Sequence, residues 1–412
     1  MRVLHLNTHA SGGSYEYAVL LSNALSEQGI ESHVLCKNSL PGTAVRLFLD
    51  RVIRRGSVSF SREPWHGTRR FLAPPAGKEL EDIEVVHLHM VADWFDVPHW
   101  LETLPRRIGV VISVHDMWHV TGGCFLYRGC DRYIHENEPC DPCPILKWPA
   151  NRLLATAAHS RKLRVYRTCG ARMVANSHWL ADIAEQSPIA KACGGVRVIP
   201  PGIDTAVFRP QDKNLCRKQL GLPADAFVVV TGSASLKDTN KNVPWLFEQL
   251  SRLRDLGRVL VVGFGEGAVA VPDRLNVRFV GGIRDRENLA RLLAAADAFV
   301  SASLMETYGL TLVEAMACGT PVVAFRVGGI PEAAPDGKGA ILCAPEDGVA
   351  LIEAIVKLRD SKQLRENLGN AGHQTVLTRN ALNPFAQAFI RVYEECVGPA
   401  KTPFGARTAL VT

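Results

Sequence analysis

No stretch of this 412-residue chain is apolar for long enough to span a bilayer, and its opening residues lack the apolar core and cleavage site of a secretory leader. Those absences lead to the expectation of a cytoplasmic protein, at most peripheral to the cytoplasmic membrane face. There is no full Gly-x-Gly-x-x-Gly fingerprint after the first strand and no phosphate loop ending in Gly-Lys-Ser/Thr, which removes support from dehydrogenase and nucleoside-triphosphatase readings. Charge is modest: 47 Lys+Arg against 41 Asp+Glu leaves +6, suited to a nucleotide, a diphosphate or a membrane surface. Neither zinc-finger spacing nor a lysine-rich arm points to nucleic acid. The chain has 11 cysteines, but the odd total and the missing export signal argue against a disulfide scaffold. Cys318 and Cys343 lie in apolar surroundings that suit reduced core thiols.

What is present is enough apolar residue, 47% of the chain, to bury two substantial cores. Val3 to Asn7 reads as a strand, followed by a glycine loop, a helix to about Gln28 and a strand from Ile30 to Cys36. Strands at Val85–His89, Val110–Val114, Arg172–Ala175 and Val196–Ile199 complete a doubly wound α/β domain over residues 1–200. The turn-rich connector from Pro200 to Pro210 ends that series. Strands at Phe227–Thr231, Arg258–Gly263, Val277–Val280, Ala298–Ala302 and Pro321–Phe325 then alternate with helices near 242–255, 286–295, 310–318 and 346–358. They define a second α/β domain over 201–383, with a terminal helix and a loosely ordered tail over 384–412. A basic segment from Arg46 to Arg70 interrupts the first domain. It reads either as a solvated loop or as a surface facing the acceptor or an anionic lipid.

The stretch from Glu306 to Val323 places one carboxylate, Glu306, on a loop before a helix and a second, Glu314, near that helix's start. Free backbone N–H groups point there as well, so the hydroxyls and the diphosphate of one activated sugar can be held together. Tyr308, Gly309, Leu310 and Thr311 lie between the two carboxylates. Lys237 and Lys241 follow the first strand of the second domain. Each reads either as a phosphate contact or as a solvated lysine. Gly12 and Gly13 form a loop after the first strand of the chain, open to the same two readings of ligand approach or generic turn. His115 and Asp116 follow an apolar strand, at the end of an open sheet where site loops gather.

This set of motifs resembles retaining glycosyltransferase family 4, whose members share two Glu residues separated by seven others. The resemblance implies a GT-B fold, two Rossmann-like domains facing a cleft, with the terminal helix crossing back to the first. It implies a UDP- or GDP-sugar donor, with Glu314 on the ribose hydroxyls, Glu306 and His115 on the transferred sugar, and Tyr308, Gly309, Leu310 and Thr311 giving backbone contacts. Tyr308 stands where Phe is more usual. Lys241 matches the family's lysine, while Lys237 stands only near its usual arginine; both are expected at the departing diphosphate. Gly12 and Gly13 resemble the family's amino-terminal glycine loop. No redox or catalytic metal cofactor is implied.

Cys124, Cys130, Cys140 and Cys143 are spaced Cys-x5-Cys-x9-Cys-x2-Cys. With His115, Trp118 and Thr121 the segment resembles colanic-acid and other bacterial surface-polysaccharide glycosyltransferases, which implies a glycan acceptor, in one form polyprenyl-diphosphate-linked. Four thiolates fit a structural zinc that braces the loop, with His135 as an alternative ligand. Packed reduced cysteines, or cysteines bonded by oxidation, fit the same spacing. The expected activity is retaining hexosyl transfer; transfer to a soluble sugar, or noncatalytic nucleotide-sugar binding on the same fold, are the other readings.

Overall fold

The runs Val85-Val-His-Leu88 and Gly109-Val-Val-Ile-Ser-Val114 lack polar alternation, the pattern of strands covered on both faces, and both are buried along their whole length. In the computed structural model, which describes residues 1–37, 74–127, 129–146, 150–253 and 258–398, they are β3 and β4 of a six-stranded sheet. The other strands are β1 (Arg2–Asn7), β2 (Glu31–Cys36), β5 (Arg172–Ala175) and β6 (Val196–Val198), in the order β2-β1-β3-β4-β5-β6, all parallel. The strand order reverses between β1 and β3, so their carboxyl ends open a crevice. The register places His5 of β1 opposite His87 of β3. The segment from Arg46 to Arg70 and the tail after Gly398 lie outside the described residues.

A second all-parallel sheet joins β7 (Phe227–Ser235), β8 (Val259–Glu266), β9 (Val277–Phe279), β10 (Ala298–Ser301), β11 (Val322–Phe325) and β12 (Ala340–Cys343) in the order β12-β11-β10-β7-β8-β9. Counted from β7, this is the 3-2-1-4-5-6 order of a doubly wound nucleotide-binding sheet, and the reversal falls between β7 and β10. Core residues flank both faces: Val228 and Val230 with Phe299 on one side, Val229 and Val261 with Phe325 on the other. Each fully buried Val or Phe contributes about 1.5–3 kcal/mol of transfer free energy. Strand β12 and the helices Ala150–Cys169 and Lys362–Arg379 are elements that the sequence reading did not contain.

The chain divides into one unit of Met1–Ile199 with the residues from Phe385 onward, and another of Pro200–Pro384. The helix Leu382–Val397 therefore begins in the second unit and buries its length in the first. Phe385, Phe389, Val392 and Cys396 recur at helical spacing and are buried, and the Tyr393 hydroxyl meets His87 Nδ1 at 2.8 Å. Phe389→Ala is expected to cost about 3–5 kcal/mol, as for other buried aromatic truncations. Hydrogen exchange should show β3 and β4 losing protection while β7 and β10 keep theirs.

Candidate active site

Two loops leave the second sheet at its reversal point, one after β7 and one after β10. Asp238 Oδ1 accepts from Asn240 N at 2.9 Å and caps the short turn Thr239–Lys241, which ends on the lysine. Asn240 ties this turn to the neighbouring loop, its Nδ2 donating to Met305 O at 2.7 Å and its carbonyl accepting from Leu304 N at 2.8 Å. The result brings Lys241 and Glu306 together: Lys241 Nζ donates to Glu306 Oε1. Ser303 Oγ donates to the same oxygen at 3.0 Å, leaving Oε2 without a partner among the described residues. Behind Glu306 runs the loop of Gly328 and Gly329. Gly329 N donates to Glu306 O at 2.9 Å, and Gly328 has φ +55° with so little room that an added Cβ would lie 2.0 Å from that carbonyl oxygen. This glycine pair braces the Glu306 backbone.

The helix Leu310–Ala317 starts from Gly309, whose φ of +97° gives the chain its left-handed entry. Leu310 and Thr311 occupy its first two positions and have no intrahelical acceptor for their N–H groups. Glu314 is the fifth helical residue, in the second turn, so the expectation of a carboxylate at the helix start is corrected. Its side chain is only 4% exposed, and what holds it there is Arg286, whose Nη2 donates to Glu314 Oε1. Arg286 opens the helix Arg286–Ala295, capped by Asp285, and its guanidinium lies 4.6 Å from the Phe208 ring centroid. The sequence reading gave this arginine no role.

Tyr308 turns its ring into the core, where the hydroxyl accepts from Asn380 Nδ2 at 2.8 Å and burial pushes its pKa up to about 12. Its phenol is a packing element, and only its backbone remains for a ligand. Lys237 is exposed and makes no ion pair with a described residue; its aliphatic stem covers Gly267. The structure thus pairs Lys241, and not Lys237, with Glu306.

In the first unit Gly12 has φ +90° with open space around it, and Gly13 begins the helix Gly13–Glu27. His115 follows β4 and is the partly exposed end of a row of imidazoles that the sequence reading missed. His115 Nε2 meets His89 Nδ1 at 2.9 Å, and His89 Nε2 meets His5 Nδ1 at 2.9 Å. His87 lies against the row, its ring centroid 4.2 Å from that of His89. The signal was there, since His87 and His89 are two apart at a strand end and so share a face. Asp116 is buried and caps the next turn, its Oδ1 accepting from Trp118 N at 2.7 Å. Below this loop Lys162 is fully buried, donates to the carbonyls of Trp118 and Thr121, and lies 3.8 Å from the Trp118 ring centroid.

Cys124, Cys130, Cys140 and Cys143 are all free thiols. Cys124 hydrogen-bonds Cys143, and Cys140 Sγ accepts from Gly122 N at 3.3 Å. The Cys124 thiol and the Ile145 and Leu146 N–H groups hold Cys143 down, to about 6, while burial pushes Cys130 and Cys140 up, the latter to about 12. Tetrahedral zinc–sulfur bonds of about 2.3 Å would draw the four sulfurs within about 4 Å of one another. Among the described residues only His5, His87 and His89 form a group of three or more ligand atoms mutually within 4.8 Å, so no three of these sulfurs do. The thiols as they stand do not fit the zinc set, and the packed, reduced reading fits them better. The histidine trio is itself committed: His87 spends its ring nitrogens on Tyr393 and Ser113, and His89 spends its own on His5 and His115.

Two family models match the chain: "Glycosyltransferase Family 4" over residues 11–207 and "Glycosyl transferases group 1" over residues 226–361. D-inositol 3-phosphate glycosyltransferase 2 of Catenulispora acidiphila is 36% identical over 396 residues, covering 88% of this chain and 85% of that protein. D-inositol 3-phosphate glycosyltransferase of Acidothermus cellulolyticus is 36% identical over 181 residues, 40% of each chain, so that match spans less than half of the relative. Among solved structures, sucrose-phosphate synthase from Thermosynechococcus elongatus superposes with a TM-score of 0.66 at 18% identity, covering 96% of this chain and 98% of that one. HepE from Anabaena, solved with UDP-glucose, superposes with a TM-score of 0.61 at 17% identity, covering 96% and 100%.

Burial lowers His5 and His119 to about 3 and His115 to about 4, and it lowers His87 and His89 as well. Because these folded values lie below the unfolded value of about 6.5, the unfolded chain binds more protons between pH 6.5 and 4, and stability falls as pH falls through that window. Asp116 opposes the trend, since burial raises it to about 7 and it keeps a proton in the folded state. The histidines outnumber it. Urea midpoints are expected to drop between pH 7 and 5, by about 1.4 kcal/mol per pH unit for each net proton taken up; a flat profile would mean that the rings are not buried as neutral groups. Gly328→Ala is expected to destabilise the second unit by about 2 kcal/mol or more, because both φ and the Glu306 carbonyl oppose a side chain; thermal unfolding measures it.

Proposed function

Since this chain belongs to glycosyltransferase family 4, we propose that it transfers a hexosyl group from a UDP- or GDP-sugar, with retention of anomeric configuration, to a soluble phosphorylated polyol. The fold is GT-B, with its two all-parallel α/β sheets. The observation that carries the donor reading is the Lys241–Glu306 contact at the reversal point of the second sheet, beside the open N–H groups of Leu310 and Thr311. A cation there stabilises the diphosphate more as the sugar departs, which lowers the barrier without tightening the ground state equally. Glu306 Oε2 takes a sugar hydroxyl, and Glu314, held by Arg286, takes the ribose hydroxyls. His115 is assigned a hydroxyl of the transferred sugar.

Retention follows if the acceptor approaches the face the leaving group vacates. The bond from the anomeric carbon to phosphate oxygen breaks with its electron pair going to the diphosphate. The acceptor oxygen bonds to the same carbon and its proton passes to the departing phosphate oxygen. Lys241 and the helix N–H groups hold the charge that develops.

The relatives' named activity on D-inositol 3-phosphate supports a soluble acceptor. The cysteine-bearing segment, by its resemblance to surface-polysaccharide enzymes, supports a lipid-linked glycan as the second reading. Among the described residues no helix is long and apolar enough to cross a membrane. Mass-resolved product formation with a donor panel, offered D-inositol 3-phosphate, other soluble sugars and lipid-diphosphate glycans, separates the two. Product on a soluble phosphorylated polyol with retained configuration is expected; inversion, or transfer to lipid-linked glycans alone, overturns the proposal. Lys241→Ala should lower kcat by about 10²–10³-fold with a smaller change in donor KM, whereas Lys237→Ala should change kcat less than about threefold.

A further inference from the structure

The imidazole row behind His115 has a property that no single ring has. A neutral imidazole carries one donor and one acceptor nitrogen, and burial keeps His5, His89 and His115 neutral. His5 Nδ1 faces His89 Nε2, and His89 Nδ1 faces His115 Nε2, each at 2.9 Å, so each contact holds one proton. The tautomers are therefore locked together: all three rings carry hydrogen on Nδ1, or all three carry it on Nε2.

The far end of the row decides between these arrangements. His5 Nε2 is buried without a hydrogen-bond partner among the described residues. With hydrogen on Nε2 throughout, it would be a buried N–H with nothing to donate to, the rarer kind of orphan in folded proteins; with hydrogen on Nδ1 it is an unprotonated nitrogen. The neighbouring rings leave that choice intact. His87 spends Nδ1 on Tyr393 Oη and Nε2 on Ser113 Oγ, both at 2.8 Å. His119 donates from Nε2 to the His89 carbonyl and accepts from Tyr166 Oη on Nδ1, each at 3.0 Å. Neither takes a nitrogen from the row.

We infer that His5 and His89 are positioning residues that hold the proton of His115 on Nδ1, so that the open side of this ring presents an N–H donor to a sugar hydroxyl oxygen. The identity of that hydroxyl rests on the proposed donor reading, while the tautomer does not. A hydroxyl that accepts from His115 keeps its own O–H for a different partner, so the row dictates the direction of one hydrogen bond to the sugar. Free histidine prefers hydrogen on Nε2, which makes the opposite tautomer a diagnostic outcome.

Long-range 1H–15N spectra of the full chain labelled with 15N-histidine, recorded without ligand and with His115 assigned by its loss in His115→Gln, read the tautomer directly. The expected signal is a protonated Nδ1 and an unprotonated Nε2. His89→Phe keeps an aromatic ring of somewhat larger size and removes both nitrogens; it should shift His115 toward the Nε2–H form and lower kcat about tenfold, or about 1.4 kcal/mol, with donor KM little changed. Hydrogen on Nε2 of His115 in the unmutated chain overturns the inference, a result that stands even if His89→Phe does not fold. An Nδ1–H signal that persists in folded His89→Phe overturns the role of the row. Because the spectrum needs no donor, an Nδ1–H ring in a protein that transfers no sugar would count against the proposed function alone.

Discussion

The contact between Lys241 and Glu306 is the constraint around which the second unit's site is arranged. Two loops that leave different strands must meet for it to form, and the backbone ties through Asn240 hold them at that spacing. A half-buried lysine and carboxylate in this position are each the other's nearest counter-charge. On the proposed function, a diphosphate arriving here would offer the lysine a stronger partner and release the carboxylate toward hydroxyls. A single electrostatic exchange can therefore order both ends of a ligand, without a rearrangement of the sheet beneath.

The first unit solves a different problem. Its crevice-forming strands carry imidazoles where other parallel sheets carry Val or Ile, and those rings are satisfied almost entirely by one another, by Tyr393 and by Ser113. Such a polar interior costs stability compared with a packed aliphatic one unless every nitrogen finds a partner. Among the described residues the buried ring nitrogen of the row that does not, Nε2 of His5, lies at the end farthest along the row from the open ring of His115.

Much of the architecture was legible because buried parallel strands announce themselves as short apolar runs: the eleven expected strands all occur, with ends moved by a few residues. The misses have physical causes. Strand β12, Ala-Ile-Leu-Cys, is an edge strand that follows a Gly-Lys-Gly turn and carries no β-branched run to mark it. The helix Lys362–Arg379 buries Leu368, Gly369, Gly372 and Val376, so half of its packing face is glycine and it has no apolar stripe. Glu306, Glu314, Lys241 and His115 could be singled out because each belongs to a short local motif of the sequence. The contacts of Arg286, Asn240 and the histidine row were hidden: their partners are 26 to 84 residues away, and only the register of the sheets brings them close. For the cysteines, regular spacing along the chain is not matched by three sulfurs within 4.8 Å of one another among the described residues.

The helix that begins at Leu382 has a consequence for how the protein is made. The first unit is discontinuous, and part of its core, including the phenol that satisfies His87, is encoded at the far end of the chain. During synthesis the ribosome delivers the whole second unit before that piece exists. The later domain can therefore finish folding while the earlier one waits with an uncovered apolar face, an inversion of the usual amino-terminal-first order. A nascent chain stalled or cleaved near residue 384 would leave the cell an orphan half in need of a chaperone, and gene dissection at the connector would not yield a self-sufficient amino-terminal fragment.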